Sequence, residues 1–262
     1  MADRSLRHSR TLPTAPAAAL DPQIAALARR YRCAGGPVVT LMTKLGSSFE
    51  RQLSALPKGL RDRVGRLTET ALSGAWLVAD RGARALPQPG RRVTTLAVLA
   101  SGAAGGAGGL ATSLAEVPVT VTVILHAIRA EAIAAGFDPN APEIRAECLQ
   151  VFSAGSPLSG DDGIDTSFLS ARLSLTGPAV QQLIQQVAPK LAAALSQKLA
   201  AQAVPVLGAA TGAALNAAYL GYYRELAAVR FALLHLSQDY GTAEVLEAFQ
   251  RAANPKGALK TS

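Results

Sequence analysis

LASGAAGGAGGLATSLAEVPVTVTVILHAIR, residues 99–129, carries five glycines in eight consecutive positions, one carboxylate (Glu116), one histidine (His126) and a closing Arg129. Three readings compete for it. A Walker-type phosphate loop needs Gly-x4-Gly-Lys-Ser/Thr, because the lysine must reach the β- and γ-phosphates. No lysine stands between Lys58 and Lys190, so that reading fails. Gly106, Gly108 and Ala111 fit the dinucleotide fingerprint G-x-G-x-x-A, with VTTLAVLA ahead as a candidate strand and Glu131 downstream. That fold needs further strand–helix units to build its sheet, and none is legible.

Close helix packing remains. Gly102 and Gly106 are four apart, as are Gly105 and Gly109; Gly208, Gly212 and Asn216 repeat the spacing in VPVLGAATGAALN, residues 204–216. A step of four keeps such residues on one helix face, and a face without Cβ atoms lets two backbones approach. The cost is ~1 kcal/mol of helix propensity per glycine relative to alanine. Such a helix needs tight burial or lipid to hold it. The expected seam is therefore Gly102, Gly105, Gly106, Gly109, Gly208, Gly212 and Asn216, with Asn216 hydrogen-bonding across it.

Composition agrees with helices. Of 262 residues, 49% are hydrophobic but only 5% aromatic, and alanine and leucine supply most of the apolar content. Leu60, Val64, Leu67, Ala71, Ala75 and Val78 recur at steps of three and four after Pro57, which suits the first turn of a helix. Pro118 disfavours helix at Val117, which predicts a break or kink near Glu116. Gly136 ends the helix that follows, Pro142 starts another, and Val180, Leu183, Ile184 and Val187 form the stripe of a third. Pro189 and Pro205 are expected to kink or divide the path. The fold class predicted is all-α: a compact multi-helix domain with a Gly/Ala-rich central helix pair, running antiparallel. Residues 1–20 read as a disordered basic leader without a secretory core, 21–250 as the domain, and 251–262 as a flexible tail.

The net charge of +8 is uneven. Residues 1–92 hold 16 Lys/Arg against 6 Asp/Glu, whereas residues 93–202 hold 5 against 8. Arg61, Arg63, Arg66, Arg91 and Arg92 make a basic surface that would be drawn to an anionic membrane or lipid. Nucleic acid is not expected, because no recognition module is present and the arginines are not interleaved with aromatics. Cys33 and Cys148 are far apart, outside any zinc-ligand spacing, and read as two reduced thiols. Asp161, Asp162 and Asp165 lack the glutamate of an EF-hand loop. No metal and no cofactor is expected.

Several segments together resemble the EcsC protein family: GAAGGAGG with EVPVTVTVILHAI, RAECLQVFSAG, FLSARLSL, KLAAQAVPVLGAATGAALN and FALLHLSQDYG. The resemblance spans about residues 55–250. It implies a mostly helical, membrane-associated bacterial protein, cytoplasmic and peripheral to the inner face of the cell membrane, and it supplies no reaction. The family takes its name from a protein encoded beside an ABC-type exporter, so the resemblance also implies a membrane-protein partner. His126 departs from the basic residue expected at its place, and SQDYG is less charged than expected.

No catalytic set is marked, and whether the chain is an enzyme is left open. Glu116 is the one acid in the run 93–128. Buried alone, it would cost several kcal/mol or become protonated. With His126 and Arg129 it is the candidate ligand- or proton-binding group; its plainer role is a helix-capping acid or an arginine's partner. The expected function is a non-enzymatic, membrane-associated accessory protein linked to ABC-type export or to lipid-surface binding, its glycine seam opening or admitting an acyl chain. The alternatives are a hydrolase-like enzyme with a site near Glu116 and a soluble binding module for a hydrophobic ligand.

Overall fold

The computed structural model describes residues 20–38, 40, 56–80, 96, 100, 109–154, 177–202 and 208–253. Seven α-helices lie among them: α1 Leu20–Ala34, α2 Lys58–Asp80, α3 Gly109–Ala134, α4 Pro142–Gln150, α5 Gly177–Gln202, α6 Gly208–Tyr240 and α7 Thr242–Ala253. A single 3-10 turn, Val151–Ala154, follows α4, and there is no strand among the described residues. The dinucleotide reading therefore has no sheet to stand on, and Ala111 lies inside α3.

Local chemistry sets the ends. The Pro57 carbonyl accepts from the amides of Leu60 and Arg61, so proline stands just ahead of α2. α3 stops at Gly136, whose φ of 85° is left-handed, while the Phe137 amide reaches back to the Ala132 carbonyl and the Gly136 amide to that of Ile133. This pair of bonds closes the helix C-terminus and needs a residue free of Cβ strain.

Two sequence expectations are corrected. α3 does not break near Glu116; it runs unbroken through Pro118. An interior proline costs ~3 kcal/mol, and the buried flank of Leu114, Val117, Val121, Ile124 and Leu125 offsets it. α5 likewise continues through Pro189, whereas Pro205 lies outside the described residues. The second correction concerns direction. Near its start α3 meets α6 through Glu116 and Asn216. Beyond its end Phe137 stacks on Phe231, 5.8 Å between ring centres. α3 and α6 therefore run parallel. The antiparallel neighbour is α5, whose Ala194 carbonyl accepts from the Tyr219 hydroxyl at 3.2 Å and whose Lys198 lies beside Glu116. Periodicity gives faces but not directions, and the return stroke is made by the intervening α5.

The main core lies between α2, α3, α4, α5 and α6 as far as Phe231, around Val64, Leu72, Ile128, Leu191, Tyr219 and Tyr223. The second half of α6 carries a further cluster with α1 and α7, centred on Ile24, Ala28, Val229 and Phe249. Tyr31 meets Phe249 edge to face at 5.7 Å, and Arg30 pairs with Glu225 at 2.9 Å. At 33 residues, α6 extends for about 50 Å. It contributes long runs of buried residues to both clusters.

The two thiols differ. Cys33 is exposed and Cys148 is buried. Burial pushes the Cys148 thiol up to about 12, with Arg129 opposing. A raised native pKa means the folded chain holds the proton more tightly, so this contribution is complete below the ordinary thiol value of 9.0 and is lost as pH rises toward 12. Relative to Cys148→Ala, the native chain is expected to lose about 1 kcal/mol of stability between pH 9 and 10. Urea unfolding at the two pH values checks this. A constant difference would show that the thiol is not sequestered.

Candidate functional site: a buried acid–base clasp

Glu116 stands in the second turn of α3 and is 6% exposed. It is not at a helix end, and its ion-pair partner among the described residues is a lysine. The Lys198 ammonium, from α5, lies 3.1 Å from its Oε1, with both side chains about 5% exposed or less. The Asn216 amide, from α6, donates a short hydrogen bond to the same oxygen. The Thr120 hydroxyl, one turn along α3, donates to it at 3.3 Å and accepts from Lys198 Nζ at 3.4 Å. One carboxylate oxygen thus gathers donors from three helices.

This geometry ties α3, α5 and α6 at one level. Asn216 hydrogen-bonds from α6 to Glu116 of α3. It follows Gly212, which is buried, by one turn. Gly109 and Gly208 begin α3 and α6, whereas Gly102, Gly105 and Gly106 lie outside the described residues. Burial pulls the Lys198 ammonium below its ordinary value, and Glu116 only partly restores it. Removing charges from water is expensive, and a close pair with added hydrogen bonds is how a core tolerates them.

The sequence reading missed Lys198. A signal was available: it is the sole charged side chain between Lys190 and Arg224, just as Glu116 is the sole acid in its own neutral run. Two solitary opposite charges in two apolar helices are natural partners, because each would otherwise be desolvated alone.

His126 and Arg129 do not join this cluster. They lie ten and thirteen residues further along α3, about 15–20 Å away. His126 is half-buried; burial and then the Arg129 charge lower its pKa. Arg129 donates to Asn140 Oδ1 at 2.9 Å. Of the basic surface, Arg61, Arg63 and Arg66 are exposed on α2, whereas Arg91 and Arg92 lie outside the described residues, as do Asp161, Asp162 and Asp165. No group of three or more potential metal ligands occurs among the described residues.

Comparison with known proteins settles the lineage. The model of the EcsC protein family matches residues 84–234, more than half of the sequence. The chain belongs to the EcsC protein family. Comparison with curated proteins and with solved structures finds no match. The EcsC match is narrower than the resemblance read from the sequence. It takes in α3, α4, α5 and most of α6, hence the whole clasp, and leaves α1, α2 and α7 outside it. The clasp is thus a feature of the EcsC part of this chain.

A second buried pair serves the same EcsC region. Arg230 of α6 clasps Glu147 of α4 through Nε and Nη2, with side chains 3% and 14% exposed. It borders a pocket that Thr242, Val245 and Leu246 of α7 also line. α4 is thereby tied to α6 by charge.

Proposed function

We propose that this EcsC-family chain is a non-enzymatic helical accessory protein that sits peripherally on an anionic membrane surface facing the cytoplasm, beside a membrane-protein partner of the export type. The observation that carries this reading is the start of α2. Lys58, Arg61, Arg63 and Arg66 are all exposed there, and no acid occupies the first turn. Lys58 and Arg61, in the first turn, oppose the macrodipole by roughly 0.3–1 kcal/mol each at a surface site. Among the described residues none of the four has a carboxylate partner. An anionic surface relieves both repulsions at once.

α3 supports the same reading. Its outward stripe of Ala115, Val119, Thr122, Ala130 and Ile133 is uncharged, with Val119 49% and Ile133 44% exposed. The lowered His126 stays neutral at pH 7 and adds no charge to that helix's surface. Leu114–Ala134 is long and apolar enough to cross a membrane, but 44% of that window is buried in the protein. Withdrawing it into lipid would part Glu116 from Lys198, which favours lying on the surface over spanning.

The test is co-sedimentation with vesicles of phosphatidylglycerol and phosphatidylcholine against phosphatidylcholine alone, at low and high salt. Binding is expected to anionic vesicles only and to weaken with salt. At about 1 kcal/mol per basic residue, replacing Lys58, Arg61, Arg63 and Arg66 by serine is expected to weaken it by two to three orders of magnitude. Equal binding to neutral vesicles, or an unaffected quadruple variant, would sink the surface reading.

A further inference from the structure

The outward face of α3 carries one titratable group in the middle of its apolar line. At about 3.6 residues per turn, Val119, Thr122, His126, Ala130 and Ile133 follow one another along that face. Val119 and Ile133 are exposed, and His126 between them is half-buried. His126 Nδ1 is covered and has no hydrogen-bond partner among the described residues. No described carboxylate pairs with this imidazole. Burial, and then the Arg129 charge one turn along the helix, lower its pKa below the ordinary 6.5. Arg129 is the charged group whose field reaches it. Among the described residues none on α2, α4, α5 or α6, the helices packed against α3, does so.

We propose that His126 tunes the membrane contact of this chain to acidity, adding a cation to the outward face of α3 where an anionic lipid surface lies against it. This rests on the surface reading given above and names its regulation. A neutral imidazole suits the apolar line at pH 7. An imidazolium there holds two N–H donors and a charge one turn from the Arg129 cation, with no carboxylate of its own chain to answer them. Lipid phosphates supply the missing acceptors and the counter-charge. The same surface favours the proton, because a potential of about −30 mV concentrates protons at the lipid roughly threefold. A surface that prefers the protonated form takes up a proton on binding, so binding tightens as pH falls through the range in which His126 of the free chain titrates. α2, with its exposed Lys58, Arg61, Arg63 and Arg66, packs directly against α3, so the basic residues and this face lie on neighbouring helices.

The test is the pH profile of co-sedimentation with vesicles of phosphatidylglycerol and phosphatidylcholine, from about pH 7.5 to 5, at constant salt, for the full chain and two variants. The native chain is expected to bind about five-fold tighter at the acid end, the effect of one added charge near an anionic surface. His126→Gln stays neutral throughout and is expected to lose that gain. His8 and His235 remain in it, so the difference between the profiles belongs to His126. His126→Lys carries its charge at every pH in the range. It is expected to bind at pH 7.5 as tightly as the native chain does in acid, with no further gain, an outcome that a purely structural histidine would not give. Vesicles of phosphatidylcholine alone are expected to show no acid gain with any of the three chains. A native profile that is flat or weakens in acid, or an equal gain in folded His126→Gln, overturns this inference and leaves the surface reading standing. Absence of native binding to anionic vesicles at every pH contradicts the surface reading and this inference with it.

Discussion

Lys198→Met is expected to lower the free energy of unfolding by about 3–5 kcal/mol at neutral pH, because it removes the buried cation 3.1 Å from the Glu116 carboxylate. Urea unfolding followed by far-UV circular dichroism measures it. The pH dependence has a definite sign. Burial lowers the Lys198 pKa in the folded chain, with Glu116 opposing. The unfolded chain therefore binds more protons between that lowered value and 10.5, and stability rises with pH across this window. The gap between the native chain and Lys198→Met widens across that window. A loss below 1 kcal/mol, or a gap that narrows with alkalinity, would mean that the ammonium is solvated and the clasp open.

The second large effect concerns Glu147 and Arg230, and its asymmetry is the informative part. Arg230 is the more enclosed partner, and its guanidinium keeps its charge at neutral pH. Glu147→Gln removes the carboxylate paired with that buried cation and is expected to cost about 3–5 kcal/mol. In Arg230→Met, the remaining carboxylate sits at the rim of the pocket and can reach water. Its cost is expected to be nearer 1–3 kcal/mol, that of an unsatisfied polar group. The reverse order, or two costs below 0.5 kcal/mol, would contradict the burial assigned to this pair.

Much of the architecture was legible because apolar periodicity survives in a chain with so few aromatics. The α2 stripe at Leu60, Val64, Leu67, Ala71 and Ala75 and the α5 stripe at Val180, Leu183, Ile184 and Val187 face the core as their spacing requires. Gly136 and Pro142 punctuate as their backbone chemistry dictates. What failed were inferences from single residues against collective packing. Pro118 does not break α3, because the buried residues around it offset a local cost. The parallel course of α3 and α6 depends on α5 returning between them, which no local pattern encodes.

The candidate site was half legible. Glu116 stood out as a lone acid and Asn216 as a seam residue, and the structure joins them. Lys198 escaped because its partner is 82 positions away. His126 and Arg129 were grouped with Glu116 by sequence nearness, yet several helical turns part them, and Arg129 belongs instead with Arg145 and Trp76. The expectation that the glycine seam opens to admit an acyl chain meets a physical obstacle at this level. Parting α3 from α5 and α6 there would separate an ion pair held out of water.

The central claim is that a charge clasp locks the Cβ-poor helices of this EcsC protein together. The most direct test is a double-mutant cycle of Glu116→Gln and Lys198→Met, read by urea unfolding. The clasp predicts that the double variant recovers much of what Lys198→Met loses, with a coupling of about 2 kcal/mol or more between the two positions. Strictly additive losses, with coupling under about 0.5 kcal/mol, would mean that the two charges do not meet in the folded protein.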